Sequence, residues 1–244
     1  MASLVLSLEQ EKQILQALKN TYPDSCGSSR AVFDGDDIAF DDIMDMLEDN
    51  FNCDIHNCVI KLALGIGGQN QSNREIKSYI EYGDCYPLAK IYAYGRFIEI
   101  MEKVDKVDEN FRCFSDYGYY DLFAMVYDYE DPLDGERYIS YPEDADQKEI
   151  DEYETIFDTI YQLEELFGET DDNGQLGYNA EGNLVCYDYG FLVDSDEEWS
   201  SMLSVLLHKQ NVYNSYLDIC IENITTTNDI FEQLENQLCD KKFY

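Results

Sequence analysis

The charge of this sequence constrains what it can fold into more than any other feature. Its 244 residues include 52 Asp and Glu against 16 Lys and Arg, a formal net charge of −36. Self-repulsion of this size opposes compaction, so folding requires a substantial apolar core. The chain has the residues for one, with 45% hydrophobic residues, including 21 Tyr and 12 Phe. We therefore predict a folded protein that does not bind nucleic acids or anionic membranes directly.

The eight cysteines and the first residues bear on the compartment. The chain begins Met-Ala-Ser without a basic segment or an apolar segment, and no apolar run approaches the roughly 18 residues of a membrane span. We expect a cytoplasmic protein whose cysteines are reduced and serve as small core residues. Cys53, His56 and Cys58 could suggest zinc, but no fourth ligand with a familiar spacing accompanies them.

The first part of the sequence predicts a strand–helix–strand–strand unit behind a leading helix at 6–20. A soft glycine-containing turn at 65–70 separates the first strand from the second helix. Before this unit, 34–54 is strongly acidic but keeps an apolar stripe, so we expect it to be structured. The predicted elements of the unit are a strand at 58–64, a helix at 72–83, and strands at 88–94 and 97–104.

From about residue 105 the pattern becomes helical. The most regular helix is predicted at 149–168, and a polar loop at 169–178 and a strand at 183–191 follow it. Further helices are predicted at 198–208, 211–223 and 227–239. We divide the chain into two domains, 1–104 and 105–244, the second with an acidic excursion at 116–148.

The strand at 183–191 runs into Asp188-Tyr189-Gly190, an Asp-aromatic-Gly tripeptide. In order upstream are Val59-Ile60-Lys61 on a strand, Asn73-Arg74-Glu75 on a helix, and Met101-Glu102-Lys103-Val104 at the end of a strand pair. This order resembles protein kinases, and most closely the compact kinase-like proteins encoded by bacteriophages. The resemblance covers roughly 55–104 and 149–191.

The resemblance implies an α+β, two-lobed kinase-like fold, with a small antiparallel-sheet N-lobe and a mainly helical, shortened C-lobe. It implies Mg-ATP as the cofactor, with Lys61 on the α- and β-phosphates and Asp188 on the metal. Glu75 would hold Lys61 in place, with Glu81 as the alternative, and the backbone of 102–104, including Glu102 and Val104, would hold the adenine. Taken singly, Lys61 could extend from a sheet edge, Glu75 could be solvated, and Asp188 could cap a turn.

The chain differs from kinases at the positions that carry out catalysis. Phage-type members carry Asp-x-His-x-x-Asn before the last strand, and the equivalent positions here are Thr170 and Gln175. Threonine cannot accept a substrate proton as a carboxylate does. A slipped loop would offer Asp171 or Asp172 as the base and Asn173 to the metal. Because the glycine-rich loop and the Ala-Pro-Glu segment are also missing from the sequence, we predict a pseudokinase rather than a working Ser/Thr kinase.

Two functions follow from these observations. In the first, a phage-type kinase-like protein, as pseudokinase or divergent kinase, binds and modulates a host protein in the host cytoplasm. In the second, the acidic surface mimics nucleic acid and inhibits a host DNA- or RNA-binding factor, such as a restriction or defence enzyme, through 34–54 and 116–154. Either partner is a host protein, in the second case with a basic surface. Binding of Mg-ATP separates the two hypotheses.

Overall fold

A computed structural model describes the chain in eight ranges and one single position. They are residues 4–19, 21–26, 29–35, 45, 48–49, 55–106, 144–167, 176–190 and 210–224. The predicted helices at 198–208 and 227–239, most of 34–54, and 116–143 of the acidic excursion lie outside these ranges.

The elements of the described residues alternate between short strands and longer helices. In chain order they are β1 (Leu4–Val5), α1 (Leu8–Leu18), β2 (Ser25–Cys26), β3 (Arg30–Asp34), β4 (Cys58–Ala63), α2 (Gly65–Tyr82), β5 (Ile91–Tyr94), β6 (Ile98–Glu102), β7 (Asp105–Lys106), α3 (Gln147–Phe167), β8 (Leu176–Tyr178), β9 (Leu184–Cys186) and α4 (Gln210–Asn223). A short 3₁₀ turn, Ile55–Asn57, precedes β4.

The fold class is α+β, as predicted from the sequence. Six strands form one sheet in the order β1-β5-β6-β4-β3-β2. Strand β1 pairs in parallel with β5, and every other pairing in this sheet is antiparallel. The predicted strands at 58–64, 88–94 and 97–104 correspond to β4, β5 and β6, whereas the strands β1, β2 and β3 were not predicted.

The chain packs into two compact units. The first contains Met1–Ile80, Lys90–Lys103 and Asp196–Tyr244, and the second contains Glu81–Ala89 and Val104–Ser195. Helix α4, which the sequence analysis placed in the domain 105–244, therefore belongs to the same unit as the six-stranded sheet. The Tyr216 hydroxyl of α4 donates a hydrogen bond to the carbonyl of Ala63 at 2.5 Å, at the end of β4.

The two faces of the six-stranded sheet differ because side chains alternate along each strand. On β4, Cys58, Ile60 and Leu62 are fully buried in the main hydrophobic core. The same core contains Ile14, Leu15 and Leu18 of α1 and Tyr216, Leu217 and Cys220 of α4. Lys61 alternates with these residues and is directed to the opposite face, where Glu75 of α2 contacts it. One face thus builds the apolar core, and the other carries charged groups.

Helix α1 begins where the sequence provides a capping box. The Ser7 side chain accepts a hydrogen bond from Gln10 N, and the Gln10 side chain accepts one from Ser7 N. These contacts satisfy amides that the first helical turn leaves without partners. At the other end, the Lys19 side chain forms an ion pair with Asp218 of α4.

The predicted turn at 65–70 is wrong, because α2 begins at Gly65 and includes it. Gly65 has a φ of 80°, which glycine adopts without steric cost, so the chain can turn directly from β4 into the helix. Its amide donates to the Tyr216 hydroxyl at 3.3 Å. Further along, the Gln69 side chain donates to the carbonyl of Arg96 at 3.0 Å. These long-range contacts stabilise a helical start that local composition disfavours.

The second unit contains α3 and the three-stranded sheet β7-β8-β9. Helix α3 matches the predicted helix at 149–168, and it begins after Asp146, whose side chain accepts a hydrogen bond from Glu149 N at 3.0 Å. Strand β9 lies within the predicted strand at 183–191. Strand β8 was predicted as loop, and β7 lies where the pattern predicted helix. Among the described residues, every helix is too short or too polar to cross a membrane.

Candidate functional site

Four charged side chains lie buried together on the α2 face of the large sheet. Strand pairing places Lys61 of β4 directly opposite Glu99 of β6. Arg30 of β3 pairs with Ala63, two residues along β4 and therefore on the same face as Lys61. Glu75 approaches from α2. All four residues are at most 5% exposed, and the two glutamates are fully buried.

Glu75 is the centre of this charge cluster, which we define as Arg30, Lys61, Glu75 and Glu99. The ammonium of Lys61 lies 3.0 Å from Glu75 Oε2. Arg30 binds the same carboxylate in a fork, Nη1 to Oε2 and Nη2 to Oε1, the second contact at 3.2 Å. Arg30 Nη1 also lies 3.6 Å from Glu99 Oε2. The contact between Lys61 and Glu75 predicted from the sequence is therefore present.

The two carboxyl groups of the cluster titrate in opposite directions. Burial alone would raise the pKa of Glu75, but the positive charges of Arg30 and Lys61 outweigh burial and hold that pKa at about 2. Burial, together with the neighbouring charge of Glu75, raises the pKa of Glu99 to about 8. A hydrogen bond between the Glu99 carboxyl group and the Glu75 carboxylate contributes to the raised pKa of Glu99. At neutral pH the cluster therefore holds two cations and one carboxylate.

This arrangement suits an anionic ligand better than a cationic one. A buried site with one surplus positive charge gains energy when an anion approaches it, because the interior screens charges less than water does. In a chain with a net charge of −36, such a surplus is locally unusual. The donors are an ammonium and a guanidinium, the two groups that proteins use for phosphate. The side chains of Lys61 and Arg30 are thus of the chemical type that binds phosphate.

Glu81, the alternative partner for Lys61, is exposed at the end of α2. Glu75 is the residue that pairs with Lys61.

The predicted adenine-binding segment begins at the end of β6. The backbone amide of Glu102 donates to the carbonyl of Lys90 at 2.8 Å, and the Glu102 side chain accepts a hydrogen bond from the Lys90 amide at 3.1 Å. The amide of Lys103 donates to the carbonyl of Asn57 at 2.9 Å. Two backbone donors of this segment are thus used within the first unit. Val104 is half-buried beside Gly177 in the second unit.

Asp188 follows β9 in the second unit and is half-buried. The strand before it is fixed by backbone hydrogen bonds, from Cys186 N to Pro87 O and from Ala89 N to Cys186 O, both at 2.8 Å. The next residue, Tyr189, is fully buried, and its hydroxyl donates to the carbonyl of Ala89 at 3.2 Å. Asp188 therefore lies between two anchored positions. Its role as a metal ligand stays a prediction.

The remaining predicted site residues lie outside the described ranges. They are the candidate bases Asp171 and Asp172, the candidate metal ligand Asn173, and the substituted positions Thr170 and Gln175. Cys53 of the Cys-His-Cys cluster lies outside as well, while His56 is exposed and Cys58 is buried in β4. Within the part of the chain that is described, no group of three His, Cys, Asp or Glu could hold a metal ion.

Arg30 and Glu99 were not predicted from the sequence as site residues. Arg30 stands directly before an apolar stretch, in a strand that was not predicted. Glu99 stands inside Ile98-Glu99-Ile100, and an acid flanked by β-branched residues in a buried strand is a signal that could have been used. Nothing local in the sequence connects either residue to Glu75.

Comparison with protein-family models, with curated proteins and with solved structures finds no match to this chain. The kinase-like family therefore stays a prediction. Function must be argued from the residues of the charge cluster and from the exposed acidic surface.

Proposed function

We propose that this chain is a kinase-like protein of the phage type that binds Mg-ATP and modulates a host protein without transferring phosphate. The observation that supports it most is the buried contact between Lys61 and Glu75 at 3.0 Å, which joins a central strand to the helix that follows it. In kinases a lysine and a glutamate in this relation position the nucleotide phosphates. The sequence adds Asp188 as the metal-binding carboxylate.

The role of each residue follows from its chemistry. When bound, Mg²⁺ would supply the charge that offsets the phosphate oxygens. Lys61 would donate hydrogen bonds to those oxygens, and Glu75 would fix the position of its ammonium. The sequence has Thr170 and Gln175 in place of the catalytic Asp and Asn, and threonine cannot serve as the general base. The proposal is therefore a binding protein, and a divergent active Ser/Thr kinase is the alternative that an assay must exclude.

A thermal-shift titration with Mg-ATP tests the proposal. The wild-type protein should melt at a higher temperature in millimolar Mg-ATP, because a ligand that binds only the folded state stabilises it. Lys61→Met and Asp188→Asn should abolish the shift. Lys77→Met is the matched control, since Lys77 is exposed on the same helix as Glu75. Absence of any shift in the wild type would remove the proposal, and phosphate transfer to a protein substrate would favour the active kinase.

A second candidate function has an observation of its own. On helix α3 the exposed acids Asp151, Glu154, Asp158 and Glu165 follow the spacing of one helical face. Such a row of carboxylates presents negative charge at regular intervals, as a nucleic-acid backbone does. This favours the hypothesis of an acidic mimic that occupies the basic groove of a host nucleic-acid-binding protein.

The mimic hypothesis predicts salt-sensitive capture of such proteins, with duplex DNA as a competitor. The triple variant Asp151→Asn/Glu154→Gln/Asp158→Asn should lose much of this capture. A control with the same charge change elsewhere is Glu9→Gln/Glu81→Gln/Asp84→Asn, all at exposed positions. Equal loss in both variants would indicate only an effect of net charge. Binding unchanged at high salt would count against the mimic.

A further inference from the structure

Arg30 contacts Glu75 more completely than Lys61 does. Its guanidinium reaches both carboxylate oxygens, Nη1 at Oε2 and Nη2 at Oε1, whereas the ion pair of Lys61 is with Oε2. A guanidinium forms this two-point contact because its donors lie in one rigid plane, while an ammonium acts as a point charge. The orientation of the Glu75 carboxylate is thus set from β3.

The electrostatics of Glu75 agree with this geometry. Burial raises the pKa of Glu75, and of the two cations that lower it, Arg30 has the larger effect and Lys61 the smaller. The Arg30 guanidinium also lies 3.6 Å from Glu99 Oε2, so it faces both carboxyl groups of the cluster. Removing Lys61 would therefore leave Glu75 with its principal cation, whereas removing Arg30 would not.

We propose that Arg30 is the positioning residue of this site, holding Glu75 in place and compensating its charge while the Lys61 ammonium turns to an anionic ligand. A buried carboxylate left without a cation is strongly unfavourable. If Lys61 were the sole cation beside Glu75, its ammonium could not turn to a ligand without this cost. With Arg30 present, Glu75 stays paired throughout. The identity of the ligand as a nucleotide phosphate rests on the proposed function; the division of roles between the two cations does not.

Melting of the ligand-free variants tests that division. Arg30→Met should lower the melting temperature by about 10 °C, since a buried pair loses its main partner. Lys61→Met should cost less than half as much, because Arg30 still pairs with Glu75. If Arg30→Met does not fold while Lys61→Met does, Arg30 is again the more important partner of Glu75. A Lys61→Met loss equal to or larger than the Arg30→Met loss overturns the inference.

Binding of Mg-ATP supplies a readout that a merely structural Arg30 would not produce. Arg30→Met should weaken binding about ten-fold, because Lys61 becomes the sole cation of Glu75 and is held there. Arg30→Lys keeps a second cation beside Glu75, so its affinity should stay within about three-fold of wild type. An Arg30→Met variant that folds and binds Mg-ATP as tightly as wild type contradicts the inference.

The two proposals fail in different ways. If wild-type protein does not bind Mg-ATP, the proposed function is removed, while the melting temperatures of the ligand-free variants still decide whether Arg30 or Lys61 is the main partner of Glu75. If the wild type binds Mg-ATP and a folded Arg30→Met variant binds it equally well, the function survives and the role of Arg30 falls.

Discussion

Two regions of the first unit bury carboxyl groups in different ways. Glu11 of α1 is 2% exposed, and its Oε1 accepts hydrogen bonds from the amides of Phe97 at 2.6 Å and Ile98 at 3.3 Å. Gly95 lies close beside it, since a Cβ there would come within 2.4 Å of the Glu11 carboxyl carbon. Here one carboxyl group fixes the β5–β6 turn through its hydrogen bonds to two backbone amides.

The charge cluster instead buries more cations than carboxylates. Glu75 is paired with Arg30 and Lys61, while the raised pKa of Glu99 favours its neutral form. Natural interiors seldom keep an unbalanced buried charge without a reason beyond stability. The difference between the two regions suggests where function resides: Glu11 serves the fold, whereas the cluster holds a surplus cation suited to a ligand. Mutations that separate these roles follow, ordered from the largest expected loss of stability to a gain.

Glu75→Gln should have the largest effect, a loss of about 3 kcal/mol in unfolding free energy, because it leaves Arg30 and Lys61 buried with one carboxylate fewer. The pKa of Glu75 is lowered to about 2 in the folded state, so its contribution is present above pH 4.5 and is lost as pH falls toward 2. Urea unfolding of wild type and variant at several pH values measures this. The control Glu81→Gln, exposed near the end of the same helix, should stay within about 0.5 kcal/mol of wild type. Equal losses of unfolding free energy in Glu75→Gln and Glu81→Gln would mean that the buried ion pairs of Glu75 add no stability.

Glu11→Gln should cost less, about 1–1.5 kcal/mol at pH 4.5, the usual value of a hydrogen bond between neutral groups. Burial raises the pKa of Glu11, so the stability that its protonated form contributes is lost as pH rises above 4.5, and the cost of the variant should narrow there. Mg-ATP binding should be unchanged, since Glu11 contacts the β5–β6 turn and not the charge cluster. Loss of nucleotide binding in this variant would break the distinction between the two regions.

The same comparison shows how far the sequence alone could go. Lys61 and Glu75 lie 14 residues apart, and periodicity placed one on a strand and the other on the next helix. Their contact was what the resemblance to kinases implied. Arg30 is 45 residues from Glu75 in the sequence. The sequence between β3 and β4, the two paired strands, carries little strand pattern. Pairing between strands so far apart in sequence depends on the assembled sheet. The local sequence therefore could not show that Arg30 and Glu99 lie beside Glu75.

The start of α2 was missed for a related reason. Gly65, Gly67 and Gly68 favour a turn by composition, yet Gly68 must be small because a Cβ would come within 2.2 Å of the Ser29 carbonyl oxygen. The glycine permits close packing of the helix on β3 and β4 rather than ending it. Local propensity is weak beside such contacts, so the helix was predicted seven residues too short at its start.

Glu99→Gln should have the opposite sign, a gain in stability at alkaline pH. Burial, with the charge of Glu75, raises the pKa of Glu99 to about 8, so the folded state holds a proton that the unfolded state releases above pH 4.5. Wild-type stability from this group therefore falls between pH 4.5 and 8, while glutamine does not titrate. Arg30, Lys61 and Glu75 are the charged groups that face it, and they are unchanged in the variant.

The two proteins should be nearly equal at pH 4.5, and Glu99→Gln should be more stable by at least about 1 kcal/mol at pH 8, close to the value of one pKa unit. Urea unfolding at pH 4.5, 6 and 8 gives the difference in unfolding free energy between wild type and variant. The other charges of the chain are the same in both proteins and do not contribute to this difference. If the variant is less stable at pH 8, Glu99 is ionised and paired like Glu75. The cluster would then hold no surplus cation, and it would resemble the Glu11 site in serving only the fold.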